Sequence, residues 1–313
     1  MNDVTPEVLQ SPIHNRFVEP LLSGELAIDL EFAINAYCTY LQEVALLRAG
    51  IPFSALGMSE RRELQLPELF TLGPGGPAPV VLDKWRLYYA DETPANSVAV
   101  LKLSGVMRSE SAASTRGIDV LERDLRQAYA NPNILGVVLD VNSGGGEATA
   151  GWRLRSVVGE RNKPVIANVH YAGSAAYLGI TGATEIIGAY GGARFGSIGA
   201  LYSIDKRLLA EHAENFLDVY ADNSPNKNEE IRAALLGDLS PLRKMTTKVA
   251  TEFRGAVKMA RPLLGEPETI EETLSGRMFD AREATKRGLS DMTGNLNTAV
   301  SRVSLWASRG GKN

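Results

Sequence analysis

The chain is poor in the side chains that hold metals or form disulfides. Its 313 residues include one cysteine, Cys38, and three histidines, His14, His170 and His212. A single cysteine excludes an intramolecular disulfide framework, and this set cannot build a Cys/His zinc cluster. We therefore expect no metal and no cofactor. A reducing, cytoplasmic compartment is the simpler expectation for location.

Strong charge and long apolar runs are also missing. The formal net charge is −4 and the sequence pI is about 5.6, which gives no basic footprint for nucleic acid. The start of the chain lacks the basic and apolar regions of a secretory signal, and polar residues interrupt the apolar stretch 26–47. We expect no nucleic-acid partner and no membrane anchor. The 44% of hydrophobic residues indicate a globular protein with a sizeable core.

The first 95 residues differ in pattern from the rest. Apolar residues are dense from residue 25, and Gly50 and Pro52 supply a stop signal, so a helix is predicted over 25–49. Glycine and proline dominate 72–79, which predicts a linker or an exposed loop. The sequence thus divides into a mainly helical N-terminal extension (1–95), a main domain (96–300) and a basic, solvated C-terminal tail (301–313).

The main domain alternates apolar strands with helices. The strands are near-continuous apolar runs, as in a sheet that is covered on both faces. Such alternation predicts an α/β fold with stacked βαβ units and a parallel sheet. The predicted strands are 98–103, 135–141, 164–169 and 185–188, and the predicted helices are 118–130, 149–160, 174–182 and one that begins at Ser240.

The helix from Ser240 carries an apolar stripe between Leu242 and Val257. Such a stripe is typical of a core or a subunit contact rather than of a cofactor site. Together with the predicted helix 25–49 it offers more apolar face than one core needs, so we expect a homo-oligomer.

Ser174 stands where a buried strand meets the start of a helix. The residues around it are small, so its hydroxyl is within reach of a substrate. The N–H groups that follow can stabilise an oxyanion, because the first N–H groups of a helix have no partner within it. Serine is also a common N-cap residue, so a purely structural capping role is an equal alternative.

Three consecutive glycines, 144–146, follow the strand 135–141. They allow a ligand to approach the main-chain N–H groups, which suits a phosphate or an oxyanion. No Gly-Lys-Ser/Thr and no Gly-x-Gly-x-x-Gly motif accompanies them, which argues against a nucleotide site. A tight strand-to-helix turn is the structural alternative.

A serine nucleophile needs a base, and the histidines are poorly placed to supply it. His170 precedes Ser174 on the strand side, and His212 lies in a charged helical stretch. A lysine is the better candidate, provided that its surroundings lower its pKa from about 10.4 toward 7 or 8. Such a lysine belongs in a partly apolar cleft. Periodicity alone does not choose among the lysines.

Five segments occur in an informative order: Val137–Gly146, Lys163–Ala167, Ala172–Tyr177, Gly196–Gly199 and Ser275–Asp291. In sequence and order they resemble the signal peptide peptidase A family of serine proteases, which includes the prohead (capsid-maturation) proteases of tailed phages. The resemblance spans residues 97–298, nearly the whole main domain, and leaves 1–95 uncovered.

The resemblance implies a Clp-protease/crotonase-like fold and peptide hydrolysis by a Ser/Lys dyad. By position in the motifs, Ser174 is the nucleophile and Lys227, in the loop after Gly-Ser-Ile-Gly, is the general base. Ser197 would orient the lysine, and the N–H groups of Gly146 and Ala175 would form the oxyanion hole.

The substrates expected from this chemistry are polypeptides in extended form. Glycines near the cleft would allow main-chain pairing with such a substrate. The candidates are Gly144, Gly145, Gly191, Gly192 and Gly196. Plain turns are nearly as good an interpretation of the loop 191–199.

The sequence departs from the family pattern in two places. Gly144 replaces the usual proline, and Ala175 and Ala176 replace the usual two glycines after the nucleophile. No reacting group is lost. The added methyl groups narrow the space beside Ser174, so the departures bear on substrate preference more than on activity.

Several functions fit these residues. A phage head-maturation protease that acts on scaffold or capsid proteins is favoured, and a cytoplasmic bacterial peptidase that resembles signal peptide peptidases is the first alternative. A crotonase-like acyl-CoA enzyme would share the fold and the oxyanion donors but use acidic residues as acid and base. A non-catalytic assembly protein would not need Ser174 at all.

Overall fold

The computed structural model describes residues 24–28, 67–80, 93–111, 116–204, 210 and 213–310. The strands in these ranges join in one eleven-stranded sheet. In chain order the elements are β1 (Gly24–Ile28), β2 (Glu68–Gly73), β3 (Gly76–Val80), β4 (Ser97–Met107), α1 (Ile118–Ala130), β5 (Ile134–Glu147), α2 (Ala148–Gly159), β6 (Val165–Gly173), α3 (Ala175–Ile180), β7 (Glu185–Gly188), β8 (Arg194–Gly196), β9 (Leu201–Ser203), α4 (Glu229–Leu235), α5 (Ser240–Ala260), α6 (Pro267–Thr273), β10 (Met278–Asp280), α7 (Ala281–Lys286), β11 (Met292–Thr293) and α8 (Leu296–Gly310).

The centre of the sheet consists of the parallel strands β4, β5 and β6. Their sequences are rich in valine, leucine and isoleucine, which fit a pleated surface that is buried on both faces. Helices α1 and α2 link these strands, which makes two consecutive βαβ units. The predicted α/β class with stacked βαβ units is confirmed.

The C-terminal half of β6 leads directly to Ser174 and has different neighbours from the first half. The first half of β6 pairs with β7, whereas Tyr171, Ala172 and Gly173 pair with β8. β10 then adds to β8 in antiparallel orientation, and β11 adds to β7 in parallel. Strand β8 therefore lies beside the end of β6, and β10, more than a hundred residues after β6, extends the sheet beyond β8.

Two apolar layers hold the sheet between helices. Successive strand residues point to opposite faces. In β5, Val137 and Leu139 pack with α1, α2 and α3, whereas Val138 packs on the other face with Val300 and Val303 of α8. Each of these side chains is fully buried, which contributes about 1.5–3 kcal/mol per residue.

The C-terminal segment is a packed helix rather than a solvated tail. Arg302 of α8 donates two hydrogen bonds of 2.7 Å to the carboxylate of Glu185, and the Trp306 indole N–H donates another at 3.1 Å. Val303 is fully buried against the sheet. The prediction of a solvated tail is therefore wrong for 301–310, because apolar positions one turn apart outweigh the basic ones. Residues 311–313 lie outside the described residues.

The N-terminal extension also differs from the prediction. Residues 24–28 form strand β1, so the predicted helix 25–49 is wrong at its start, and residues 29–49 lie outside the described residues. In place of a linker at 72–79, β2 and β3 form a hairpin, and β2 pairs with β4. The prolines at 77 and 79 fit there because β3 lies at the end of the strand order, where an N–H is dispensable.

The stripe of α5 lies mostly in the core of the chain itself. Leu242, Phe253 and Val257 are buried, with Phe253 and Val257 in the main apolar cluster. The stripe therefore gives no separate support for self-association, and the homo-oligomer stays a prediction. In the described ranges, no helix combines the length and the apolar character needed to cross a membrane.

Candidate active site

Ser174 occupies a strained turn between β6 and α3. Its backbone angles are φ 51° and ψ −121°, a region that residues with a side chain rarely adopt and that costs about 1–3 kcal/mol. The residue is 2% exposed. Its side chain makes no capping hydrogen bond to α3, so the capping alternative lacks the bond that defines it.

Main-chain hydrogen bonds hold this turn in place. The N–H of Ser174 donates to the carbonyl oxygen of Gly196 at 2.9 Å. Gly196 has φ +130°, and a Cβ at this position would lie 2.2 Å from the carbonyl oxygen of Arg277, so only glycine fits. The next N–H, of Ser197, donates to the same Arg277 oxygen at 2.8 Å. The pairing of β6, β8 and β10 thus gathers Ser174, Gly196 and Ser197.

The three glycines 144–146 belong to β5, which continues to Glu147 instead of ending near residue 141. All three are buried. The Gly145 N–H donates to the Ser143 hydroxyl at 3.1 Å, and that hydroxyl donates to the Gly105 carbonyl at 2.5 Å. A Cβ on Gly146 would lie 2.2 Å from the Met107 carbonyl oxygen. The segment is therefore a tightly held strand end and not a strand-to-helix turn.

The residues predicted to form the oxyanion hole lie at the same edge of the sheet. β5 and β6 are parallel and pair through Ser143 and Ala172, just before Gly146 and Ser174 in their strands. Ala175 is fully buried in the first turn of α3, where an N–H has no acceptor within the helix. Carboxyl ends of parallel strands meet at one edge, so Gly146 and Ser174 lie at the same edge of the sheet.

Lys227 lies in a different setting from the one expected. Its side chain is exposed, in a turn where its N–H donates to the Ser224 carbonyl at 3.2 Å. Among the described residues, no hydrogen bond joins Lys227 to Ser174 or to Ser197. This exposed position differs from the partly apolar cleft expected around the base. The turn leads into α4, which packs on α5, and α5 contacts both α3 and β9.

Lys163 is partly buried, but it lies at the wrong end of the sheet for a base. Burial lowers the pKa of its ammonium group. The group donates hydrogen bonds to the carbonyl oxygens of Ala128, at 3.1 Å, and of Asn131. Lys163 precedes β6, whereas Ser174 follows it, so the nine-residue strand separates the two. Its role is to tie α1 to the start of β6.

His170 is engaged away from Ser174, as the sequence indicates. Its Nε2 lies 3.0 Å from Asp140 Oδ1, which also accepts a 2.7 Å hydrogen bond from Asn168. His212 lies outside the described residues. Within the described ranges there is no cluster of His, Cys, Asp and Glu that could hold a metal ion.

Of the glycines predicted to pair with substrate, Gly144 and Gly145 lie in the strand beside Ser174, and Gly196 has a structural role in the Ser174 turn. Gly191 and Gly192 are exposed in a turn that the Ala193 N–H closes on the Tyr190 carbonyl at 3.0 Å. This turn is the plainer interpretation that the sequence left open.

Two parts of the site carry no local sequence signal. The carbonyl of Arg277 positions Gly196 and Ser197 through its main chain, and any residue type supplies a carbonyl. β1 pairs with the glycine strand, although its sequence had indicated the start of a helix. Both depend on contacts between distant parts of the chain.

The fold and the site together define a class of protein. It is an α/β protein that presents a serine on a strained strand-to-helix turn beside main-chain donors, an arrangement suited to acyl transfer. No family model matches the chain.

Curated relatives point to peptidases. The chain is 26% identical over 226 residues to Protease 4 of Salmonella typhi, which covers 69% of the chain and 36% of that protein. It is 25% identical over 218 residues to Protease 4 of Haemophilus influenzae, which covers 66% of the chain and 34% of that protein. The chain thus spans about a third of the length of these relatives. The matches support the resemblance to the signal peptide peptidase A family.

Solved structures with a similar backbone trace include an enoyl-CoA hydratase/isomerase family protein from Silicibacter pomeroyi. It is 16% identical with a TM-score of 0.40, over 69% of this chain and 80% of that one. ThnE from S. clavuligerus is also 16% identical, with a TM-score of 0.38, over 69% of this chain and 81% of that one.

Proposed function

We propose that the protein is a serine endopeptidase whose nucleophile is Ser174. The observation that carries this proposal is the strained backbone of Ser174, whose side chain does not cap the helix it precedes. Strain of this kind persists only where the surrounding structure enforces it, and it is typical of functional sites. The similarity to Protease 4 adds the reaction class.

The proposed chemistry uses Ser174, Lys227 and two main-chain donors. The hydroxyl oxygen of Ser174 attacks the carbonyl carbon of a peptide bond, while the neutral amine of Lys227 takes the hydroxyl proton. The N–H groups of Gly146 and Ala175 stabilise the negative charge on the carbonyl oxygen. The protonated lysine then gives its proton to the leaving amine, and water hydrolyses the acyl-enzyme. In this scheme Ser197 orients Lys227.

The dyad requires Lys227 to leave the solvent. In the single chain its side chain is exposed, so the proposal includes closure of the turn 221–228 over the cleft, or burial of this turn by a second copy of the chain. The turn leads into α4, which packs on α5, and α5 in turn contacts the nucleophile helix α3. Desolvation on closure would favour the neutral amine that a base must have.

The finer proposal is a phage head-maturation protease, which rests on the family resemblance alone. Its substrates would be scaffold or capsid proteins, and its place the host cytoplasm or the assembling prohead. The alternative is a cytoplasmic bacterial peptidase that resembles signal peptide peptidases. Mass spectrometry of the protein and its co-expressed neighbours decides between them, since cleaved scaffold or capsid chains appear only in the first case.

Labelling with a serine-directed fluorophosphonate tests the nucleophile. We expect covalent label on Ser174 in the wild-type protein, none in Ser174→Ala, and unchanged labelling in Ser156→Ala, which alters an exposed serine on α2. Peptide hydrolysis should fall below detection in Ser174→Ala. It should fall about 10²–10⁴-fold in Lys227→Ala, the usual loss of a general base, but not in Lys244→Ala, which alters an exposed lysine on α5.

Other results would point to the other classes. Turnover of an acyl-CoA thioester that survives Ser174→Ala supports a crotonase-like enzyme. A folded protein without label, peptide hydrolysis or thioester turnover supports a non-catalytic assembly protein. Full activity in Lys227→Ala would remove the lysine from the mechanism and leave Ser174 in place.

A further inference from the structure

Strand β1 lies between two other strands at the edge of the candidate active site. On one side it pairs antiparallel with β5, where Ala27 is opposite Gly146 and Ile28 is opposite Gly145. On the other side it pairs antiparallel with β9, and Leu26 is opposite Leu201. The five residues 24–28 therefore complete the sheet between the glycine strand and β9.

This position has the form of a peptide-binding slot. Two strands that both pair with the same central strand leave, without it, two facing rows of N–H and C=O groups separated by about 9–10 Å, twice the spacing of neighbouring strands. Such a gap accepts an extended chain through main-chain hydrogen bonds. Two of the three residues opposite β1 on this wall are glycines, Gly145 and Gly146, which carry no side chain, and the third is Glu147.

The slot runs past the proposed nucleophile. Gly146, the residue opposite Ala27, is one of the two proposed oxyanion donors, and its strand is paired with the strand that ends at Ser174. An extended chain in the slot thus places its peptide bonds along the same edge of the sheet as the serine. This edge is where a substrate of an endopeptidase must lie.

We propose that residues 24–28 fill the substrate slot of this protein as an intramolecular occupant, and that a polypeptide substrate binds only after they withdraw. This inference rests on the proposed function. The occupant also indicates the kind of peptide that the slot takes, an extended segment with uncharged residues opposite Gly145 and Gly146, as Ile28 and Ala27 are.

The occupant and the slot belong to the same chain, so a free peptide competes with an intramolecular segment. Such a segment has an effective concentration of about a millimolar. A free peptide at micromolar concentration competes poorly with it, so release of β1 should increase the rate of reaction at Ser174 about tenfold or more.

A disulfide trap tests the position of β1. In the full chain with Cys38→Ser, the pair Leu26→Cys and Leu201→Cys should cross-link on mild oxidation, because directly opposed residues carry Cβ atoms about 4.5–5.5 Å apart. The matched control is Glu25→Cys with Leu201→Cys, one step out of register. Equal cross-linking of both pairs, or of neither, would overturn the proposal.

Fluorophosphonate labelling of the same proteins tests the consequence. The oxidised Leu26→Cys/Leu201→Cys protein should label at least tenfold more slowly than its reduced form. Leu26→Pro, which removes an N–H from a residue paired on both sides, should label at least tenfold faster than the wild type. Equal rates in all three would show that β1 does not obstruct Ser174. If nothing labels, the proposed function fails, while the cross-link still reports where β1 lies.

Discussion

The main-chain N–H of Ser174 donates a 2.9 Å hydrogen bond to the carbonyl oxygen of Gly196. This bond ties the end of β6 to the end of β8 at the residue that carries the proposed nucleophile. It fixes a backbone that is otherwise unfavourable for serine. The geometry of the site therefore depends on β8 as much as on the turn itself.

The strain at Ser174 predicts an unusual order of stability. The free energy of unfolding of Ser174→Gly should be about 1 kcal/mol larger than that of Ser174→Ala. Glycine relieves backbone strain of about 1–3 kcal/mol, which outweighs the additional chain entropy of about 0.5–1 kcal/mol that it loses on folding. Both variants should be inactive. Urea denaturation followed by circular dichroism measures the difference. A glycine variant less stable than the alanine variant would show that the turn stores no strain.

Gly196 in β8 and Gly191 in the turn before it should respond differently to alanine. Gly196→Ala places a methyl group 2.2 Å from the Arg277 carbonyl and should cost at least about 2 kcal/mol of stability. Displacement of the Ser174 turn should also slow fluorophosphonate labelling about a hundredfold. Gly191→Ala is the control, since a Cβ there meets no atom within 4 Å. Similar losses in both variants would contradict this role of Gly196.

The ion pair between Arg302 and Glu185 predicts that loss of the arginine destabilises the protein mainly through the charge of Glu185. The Glu185 side chain is 8% exposed, so Arg302→Met should lower the free energy of unfolding by about 3 kcal/mol by leaving a carboxylate buried without its partner. Adding Glu185→Gln should restore part of the loss, because it removes the buried charge. Thermal and urea unfolding of the single and double variants measures both effects. A double variant no more stable than Arg302→Met would contradict this explanation.

Asp124 should give the protein a distinct pH dependence. Burial raises the pKa of its carboxyl above 3.8, although Arg116 and Arg123 act in the opposite direction. Between 3.8 and the higher folded pKa, the folded state binds more protons than the unfolded state, so this contribution is present at acid pH and is lost as the pH rises. The stability of the wild type relative to Asp124→Asn should therefore fall from acid to neutral pH. A relative stability that rises with pH would reverse the sign of the proposed shift.

Local patterns predicted the elements whose apolar residues face one side. Helix α1 has the predicted bounds because Ile118, Leu121 and Leu125 recur at helical spacing and pack in the core. β7 also has its predicted bounds. The strands β5 and β6 extend beyond their apolar runs, since neighbouring strands pair with residues that have little strand propensity, such as the glycines 144–146.

Features that depend on distant contacts could not be predicted in this way. β1 and the hairpin of β2 and β3 form because other strands offer pairing partners, and glycine and proline signals alone gave a linker. In the site, Ser174 was visible from its local motif. The support from Gly196 and Arg277 could not be predicted from the sequence, because any residue type supplies a main-chain acceptor. Lys227 came from motif order only, and its part in the chemistry stays a prediction.

The bond between the Ser197 N–H and the Arg277 carbonyl has a consequence for synthesis of the protein on the ribosome. A nascent chain that ends before residue 277 contains the serine but not the strand that steadies its turn. Tyr177, beside the serine, donates its hydroxyl to the Leu289 carbonyl at 2.9 Å, which comes later still. The backbone geometry around Ser174 therefore depends on residues that are translated about a hundred positions after the serine itself.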